Sequence, residues 1–127
     1  LGGVPAASFT FLGFPPRRDG RLAALLTAHG SLRPAMVFYE SPRRLARLLA
    51  LATEHLGAGR EAAVCLELTK KFQRVVRGTT ADLAERFAAT ETRGEAVVVL
   101  AGAEKGEKST DDDGPEGENP DDDAMRP

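Results

Sequence analysis

The chain has 127 residues, 42% of them hydrophobic, a single cysteine and a formal net charge of −2. That length suits one domain with a modest core. One cysteine excludes a disulfide framework or a CxxC metal site, and no apolar run approaches the roughly 20 residues that span a bilayer. Without a signal-peptide pattern of charged, apolar and small-residue regions, the sequence reads as a cytoplasmic protein, and its start at Leu1 suggests a fragment.

The net charge hides a division. Leu1 to Gly102 hold 14 Lys and Arg against 9 Asp and Glu, whereas Ala103 to Pro127 hold 3 against 10, so a body of +5 carries a tail of −7. The body attracts phosphate and the tail repels it.

In "ASFTFLGFPP", Phe9 and Phe11 fall on one face of a strand that Pro15 and Pro16 end. Arg17 and Arg18 follow in a loop. Leu22, Leu25 and Leu26 recur at helical spacing up to Gly30, which is placed to stop the helix. "AMVFY" is too short for a helix between Pro34 and Pro42 and reads as a strand buried on both faces. Ser41 and Pro42 suit an N-cap and a first helical residue, and Leu45, Leu48, Leu49, Ala52 and Leu56 make one apolar stripe before Gly57. Arg43 and Arg44 therefore stand at a helix start, where a cation is disfavoured by roughly 0.3–1 kcal/mol. Either they are solvated, or an anion such as a phosphate sits beside them.

"EAAVCLEL" and "QRVVRG" read as strands joined at "TKK" in a hairpin. Thr79 with Asp82 forms a capping box for a helix bearing Leu83 and Phe87, and "EAVVVLAG" is a last buried strand. The tail from Ala103 has almost no aliphatic residue and is expected to be disordered. The resulting order of elements specifies an α/β fold, a mixed sheet of about five strands with helices packed on it.

Polar residues gather at strand ends: Glu40 and Ser41, then Glu67, Thr69 and Lys70, then Gly102. Ligands of open α/β sheets bind at such edges. A period of two puts Glu67 with Cys65, opposite Val64, Leu66 and Leu68. Its partner is either a structural cation, Lys70, Arg74 or Arg77, or a bound ligand. If Arg17, Arg18, Lys70, Lys71, Arg74 and Arg77 share a face, they suit a nucleic-acid backbone; scattered, they are a solvated surface. His29 and His55 sit where helix ends favour imidazolium. No Walker, GxGxxG, GxSxG or HExxH spacing occurs.

Three segments, "FLGFPPRRDGR", "MVFYESPRRL" and "LELTKKFQRVVRGT", followed by "EAVVVLAG", together resemble the C-terminal domain of the ribosomal RNA small subunit methyltransferase I family, within the tetrapyrrole (corrin/porphyrin) methylase superfamily. The resemblance covers Leu1 to Gly102 and leaves out the tail. It implies methyl transfer from S-adenosylmethionine to a cytidine ribose 2′-hydroxyl in the decoding region of 16S ribosomal RNA. It further implies a two-domain homodimer that acts on the small ribosomal subunit and holds its cofactor between the domains; from the sequence itself no metal and no membrane partner is expected. The glycine-rich cofactor motif belongs to the N-terminal domain and is absent from this chain, so the chain alone is expected to be inactive.

Carried over residue by residue, the resemblance places Glu40 and Glu67 in the cofactor pocket, with backbone contacts from Ala101 and Gly102. Glu67 is also the candidate proton acceptor. Arg44, Lys70 and Arg77, with Arg17 and Arg18, are the candidate RNA contacts. Arg43 departs from the family pattern, which has His there. Two other readings compete: a methylase of a small tetrapyrrole precursor, which needs no basic surface, and a non-enzymatic RNA-binding module.

Overall fold

Alternation along the strands sends one set of side chains under the helices and the other to an opposite, partly open face. The computed structural model describes residues 3–4, 8–67, 73–89 and 94–104. They form β1 (Phe9–Gly13), α1 (Asp19–Gly30), β2 (Ala35–Glu40), a 3₁₀ turn (Pro42–Arg44) running into α2 (Leu45–Leu56), β3 (Glu61–Glu67), β4 (Gln73–Thr79), α3 (Thr80–Ala88) and β5 (Glu95–Leu100). The five strands lie in the order β1-β2-β5-β3-β4. β1 and β2 are parallel, and the other neighbours are antiparallel. The expected mixed α/β sheet is what forms.

All three helices pack on one face. Leu22 and Leu26 of α1, Leu45, Leu48 and Leu49 of α2, and Leu83 and Phe87 of α3 meet Met36, Phe38, Val64, Leu66, Val98 and Leu100 of the sheet in one core. Each fully buried Leu there contributes about 1.5–3 kcal/mol relative to exposure. Val4, Ala35, Val37, Ala63 and Val99 make a smaller cluster on the other face. Around that cluster the face is open, with Phe9, Phe11, Tyr39 and Val75 all exposed. β2 is thus buried on both faces from Ala35 to Phe38, and the expectation fails at Tyr39, which no helix covers.

The helix ends follow from local chemistry, with one correction. Thr79 caps α3 as expected, its hydroxyl accepting from the Asp82 N–H at 3.2 Å. Gly57 ends α2 at φ +104°, a conformation glycine adopts without penalty. Gly30 is the last residue of α1 and is buried, where an added Cβ would meet the Leu56 side chain. Ser41, expected to cap the next helix with its hydroxyl, makes no such bond. Its backbone N–H instead donates to Glu40 Oε1 at 2.8 Å, so the carboxylate organises this junction.

β3 and β4 pair from Glu61 opposite Thr79 to Glu67 opposite Gln73. The "TKK" connection, with Lys70, lies outside the described residues, as does the tail from residue 105 onward.

Candidate functional site

Strand directions decide which residues meet. β1 runs with β2, and both β2 and β3 run against β5, so the carboxyl ends of β1, β2 and β3 share one end of the sheet with the start of β5. Register places Glu40 opposite Ala96 and Ala96 opposite Leu66; one step on, Glu67 faces Glu95 on one side and Gln73 on the other. The loop after β1, the Glu40–Arg44 junction, Glu67 and Glu95 therefore gather together.

Arg47 of α2 fixes the loop. Its Nε donates to Asp19 Oδ1 at 2.8 Å, and its Nη2 donates to the carbonyls of Pro16 at 3.0 Å and Arg17 at 2.7 Å. Arg17, Arg18 and Arg43 remain exposed, and Arg44 is half-buried as the residue that leads into α2. Arg17, Arg18, Arg43 and Arg44 thus rim this end.

The two candidate carboxylates share the end but not the face. Glu40 is 5% exposed among the helix-side residues, whereas Glu67 is exposed on the open face, as the alternation with Cys65 implies. Neither arginine offered as its structural partner pairs with Glu67. Arg74 is opposite Leu66 on the helix side, and Arg77 is opposite Ala63, where its side chain packs over Gly3. Glu67 instead faces Glu95 across β3 and β5. Directly opposed like charges destabilise a sheet pair. Beside them, burial pushes the Cys65 thiol pKa up.

Ala101 and Gly102 are not brought to this edge, and the reason is the antiparallel direction of β5. Its beginning, Glu95 and Ala96, reaches the Glu40 end; its close lies about 17 Å away by strand rise. There the Ala101 N–H donates to the Glu61 carbonyl at 2.9 Å. The Ala101 carbonyl accepts from Arg60 Nη1 at 3.0 Å, and that nitrogen also donates to the Gly30 carbonyl at 3.1 Å. A Cβ at Gly102 would run into the carbonyls of Arg33 and Pro34. Close backbone approach accounts for that glycine.

His29 and His55 occupy the last turns of α1 and α2, as expected of helix-end residues. Among the described residues, no group of three or more His, Cys, Asp or Glu is placed to hold a metal, and no helix is long and apolar enough to cross a membrane. Arg47, Glu95 and Tyr39 carry no mark in the sequence as residues of this end. Register alone exposes Glu95, and nothing in the local pattern marks Arg47.

Comparison with known proteins adds the family context. Residues 3–84 match the family described as Tetrapyrrole (Corrin/Porphyrin) Methylases. The chain is 48% identical over 103 residues to ribosomal RNA small subunit methyltransferase I of Mycobacterium tuberculosis, covering 81% of this chain and 36% of that protein. It is 42% identical over 103 residues to the Mesorhizobium japonicum protein of the same name, covering 80% and 35%. The chain thus spans about a third of the length of these relatives. Among solved structures it resembles the methyltransferase CobJ, with a TM-score of 0.58, 21% identity and coverage of 80% of this chain and 44% of that one. It also resembles a cobalt precorrin-4 methyltransferase, with a TM-score of 0.55, 14% identity and coverage of 77% and 42%. At those identities the likeness speaks for the fold alone.

Proposed function

Because the chain belongs to the tetrapyrrole (corrin/porphyrin) methylase family, we propose that residues 1–102 form the second domain of an S-adenosylmethionine-dependent methyltransferase. Its substrate in this reading is a cytidine ribose 2′-hydroxyl in the decoding region of 16S ribosomal RNA, and it works in the cytoplasm as a homodimer. The name shared by the relatives supports the small-subunit RNA as substrate. One observation on this chain carries the reading. An exposed carboxylate pair, Glu67 and Glu95, and an arginine rim lie at the same end of one sheet.

That edge fits part of the cofactor. Two carboxylates offer acceptors for ribose hydroxyls and a negative field for a sulfonium, and Val97 and Cys65 beside them offer apolar contact. S-adenosylmethionine, when bound, supplies an electrophilic methyl group. Glu67 accepts the proton of the attacking 2′-hydroxyl, a role worth about 10²–10⁴-fold. Arg17, Arg18 and Arg44 hold phosphates and so set the position of the ribose; Arg77 extends the contact along β4, and Lys70, outside the described residues, is assigned the same role. Orientation of this kind supplies about 7–11 kcal/mol, more than the base does. Glu40 acts from beneath, holding the turn that presents Arg44.

The test is methyl transfer by the full-length protein from labelled S-adenosylmethionine to intact small ribosomal subunits, with a corrin precursor as the competing acceptor. Label at a cytidine ribose is expected. Label on the corrinoid and none on RNA would overturn the substrate assignment.

A further inference from the structure

Four exposed aromatic side chains lie together on one side of the sheet. Phe9, Phe11, Phe14 and Tyr39 are 44%, 59%, 72% and 45% exposed, whereas Phe38 and Phe87 are buried. Tyr39 touches both neighbours: its ring centroid lies 5.1 Å from that of Phe11 in an edge-on contact and 5.8 Å from that of Phe14. Single exposed rings are ordinary on protein surfaces, but a contiguous group marks a binding surface.

Charge selects the partner. Phe14 leads through Pro15 and Pro16 straight into the exposed Arg17 and Arg18, and Arg47 bonds to the carbonyls of Pro16 and Arg17 hold that loop against α2. Arg43 is exposed at the same end of the sheet. A second copy docked ring to ring would bring these cations together. Aromatic faces joined to guanidinium arms instead match single-stranded RNA, whose unpaired bases stack on rings while its phosphates accept from arginines. By strand spacing Tyr39 lies about 12 Å from Glu67 on the same face.

We infer that Phe11, Phe14 and Tyr39 form a stacking platform for unpaired bases of single-stranded RNA, with Arg17 and Arg18 holding the adjoining phosphates. The inference rests on the proposed RNA substrate and adds how the strand is held beside Glu67.

Tyr39 is the single tyrosine and the chain has no tryptophan, so its fluorescence reports on this platform alone. The 127-residue chain is titrated with a cytidine decanucleotide. RNA is expected to quench Tyr39. Phe14→Ala and Phe11→Ala each weaken binding by at least about fivefold with the salt dependence kept. Arg17→Gln with Arg18→Gln lowers the salt slope by about 1.4 and keeps the quench at saturation. The affected side chains are exposed, and thermal melts of each variant verify folding.

Binding that leaves Tyr39 emission and the Phe variants unchanged would overturn the platform while sparing the RNA reading. Self-association that buries Tyr39, with no RNA binding, would overturn it in favour of a second copy. The ribosomal methylation assay reads the proposed function separately, so the two failures are distinguishable.

Discussion

Arg47 on α2 donates to the Asp19 carboxylate at 2.8 Å and, through a second nitrogen, to the carbonyls of Pro16 and Arg17, tying the loop after β1 to the helix after β2. Asp19 is 72% exposed, so the ion pair itself is worth little; the bonds to backbone carbonyls matter more. We expect Arg47→Ala to lower stability by about 1–2 kcal/mol and to weaken RNA binding, because Arg17 and Arg18 lose their fixed presentation. Denaturant melts and RNA titration measure the two effects. Asp19→Asn, which keeps the carbonyl bonds, should do much less.

Glu67 and Glu95 stand opposite each other across β3 and β5 with like charge. Glu95→Gln should therefore raise stability by about 0.2–1 kcal/mol, a cross-strand repulsion relieved. The same substitution should weaken cofactor binding in the full-length protein, because it removes one of the two carboxylates assigned to the cofactor's ribose hydroxyls and sulfonium. Melting curves together with calorimetric titration of S-adenosylmethionine check both halves.

Gly102 is required by its neighbours. Gly102→Ala would drive a Cβ into the carbonyls of Arg33 and Pro34, and backbone cannot swing aside as a flexible side chain can. We expect a loss of about 1–3 kcal/mol or more. Gly59, whose Cβ would meet nothing within 4 Å, is the control. Gly59→Ala should be neutral or stabilising by up to about 1 kcal/mol.

Burial raises the Cys65 thiol pKa, so the folded chain holds that proton more tightly than the unfolded chain does. The stability linked to it is fully present below the unfolded thiol value and falls as pH rises through the folded one. Cys65→Val should remove that alkaline decline in melts. Alkylation of the native chain near neutral pH should be slower than that of the unfolded chain.

Much of this arrangement is legible in the sequence where a property belongs to one segment. Alternation in "VCLEL" places Cys65 and Glu67 away from the core, the leucine stripe of α2 marks the face it buries, and Thr79 announces the start of α3. Pairing direction belongs to no single strand. The sequence of β5 does not say that it runs against β2 and β3, and so it points Ala101 and Gly102 to the end that Glu95 and Ala96 in fact occupy. Glu40 follows the same rule at smaller scale. Its position at a strand end is legible, but its place beneath the helices depends on which face α2 covers. Arg47 looks like any helix-surface cation until the loop it grips is in place. Phe9 and Phe11 do share a face, as their spacing requires, but only the assembled sheet shows that nothing described covers them.

The most direct test of the central claim compares two carboxylates on β3 in the full-length protein. Glu67 lies at the proposed reactive end and Glu61 at the other end of the same strand, both exposed. Methyl transfer to small ribosomal subunits should fall by about 10²-fold or more in Glu67→Gln, with RNA affinity unchanged, and should be unaffected in Glu61→Gln. Equal rates in the two variants would contradict the assignment of Glu67 and of the sheet end it marks.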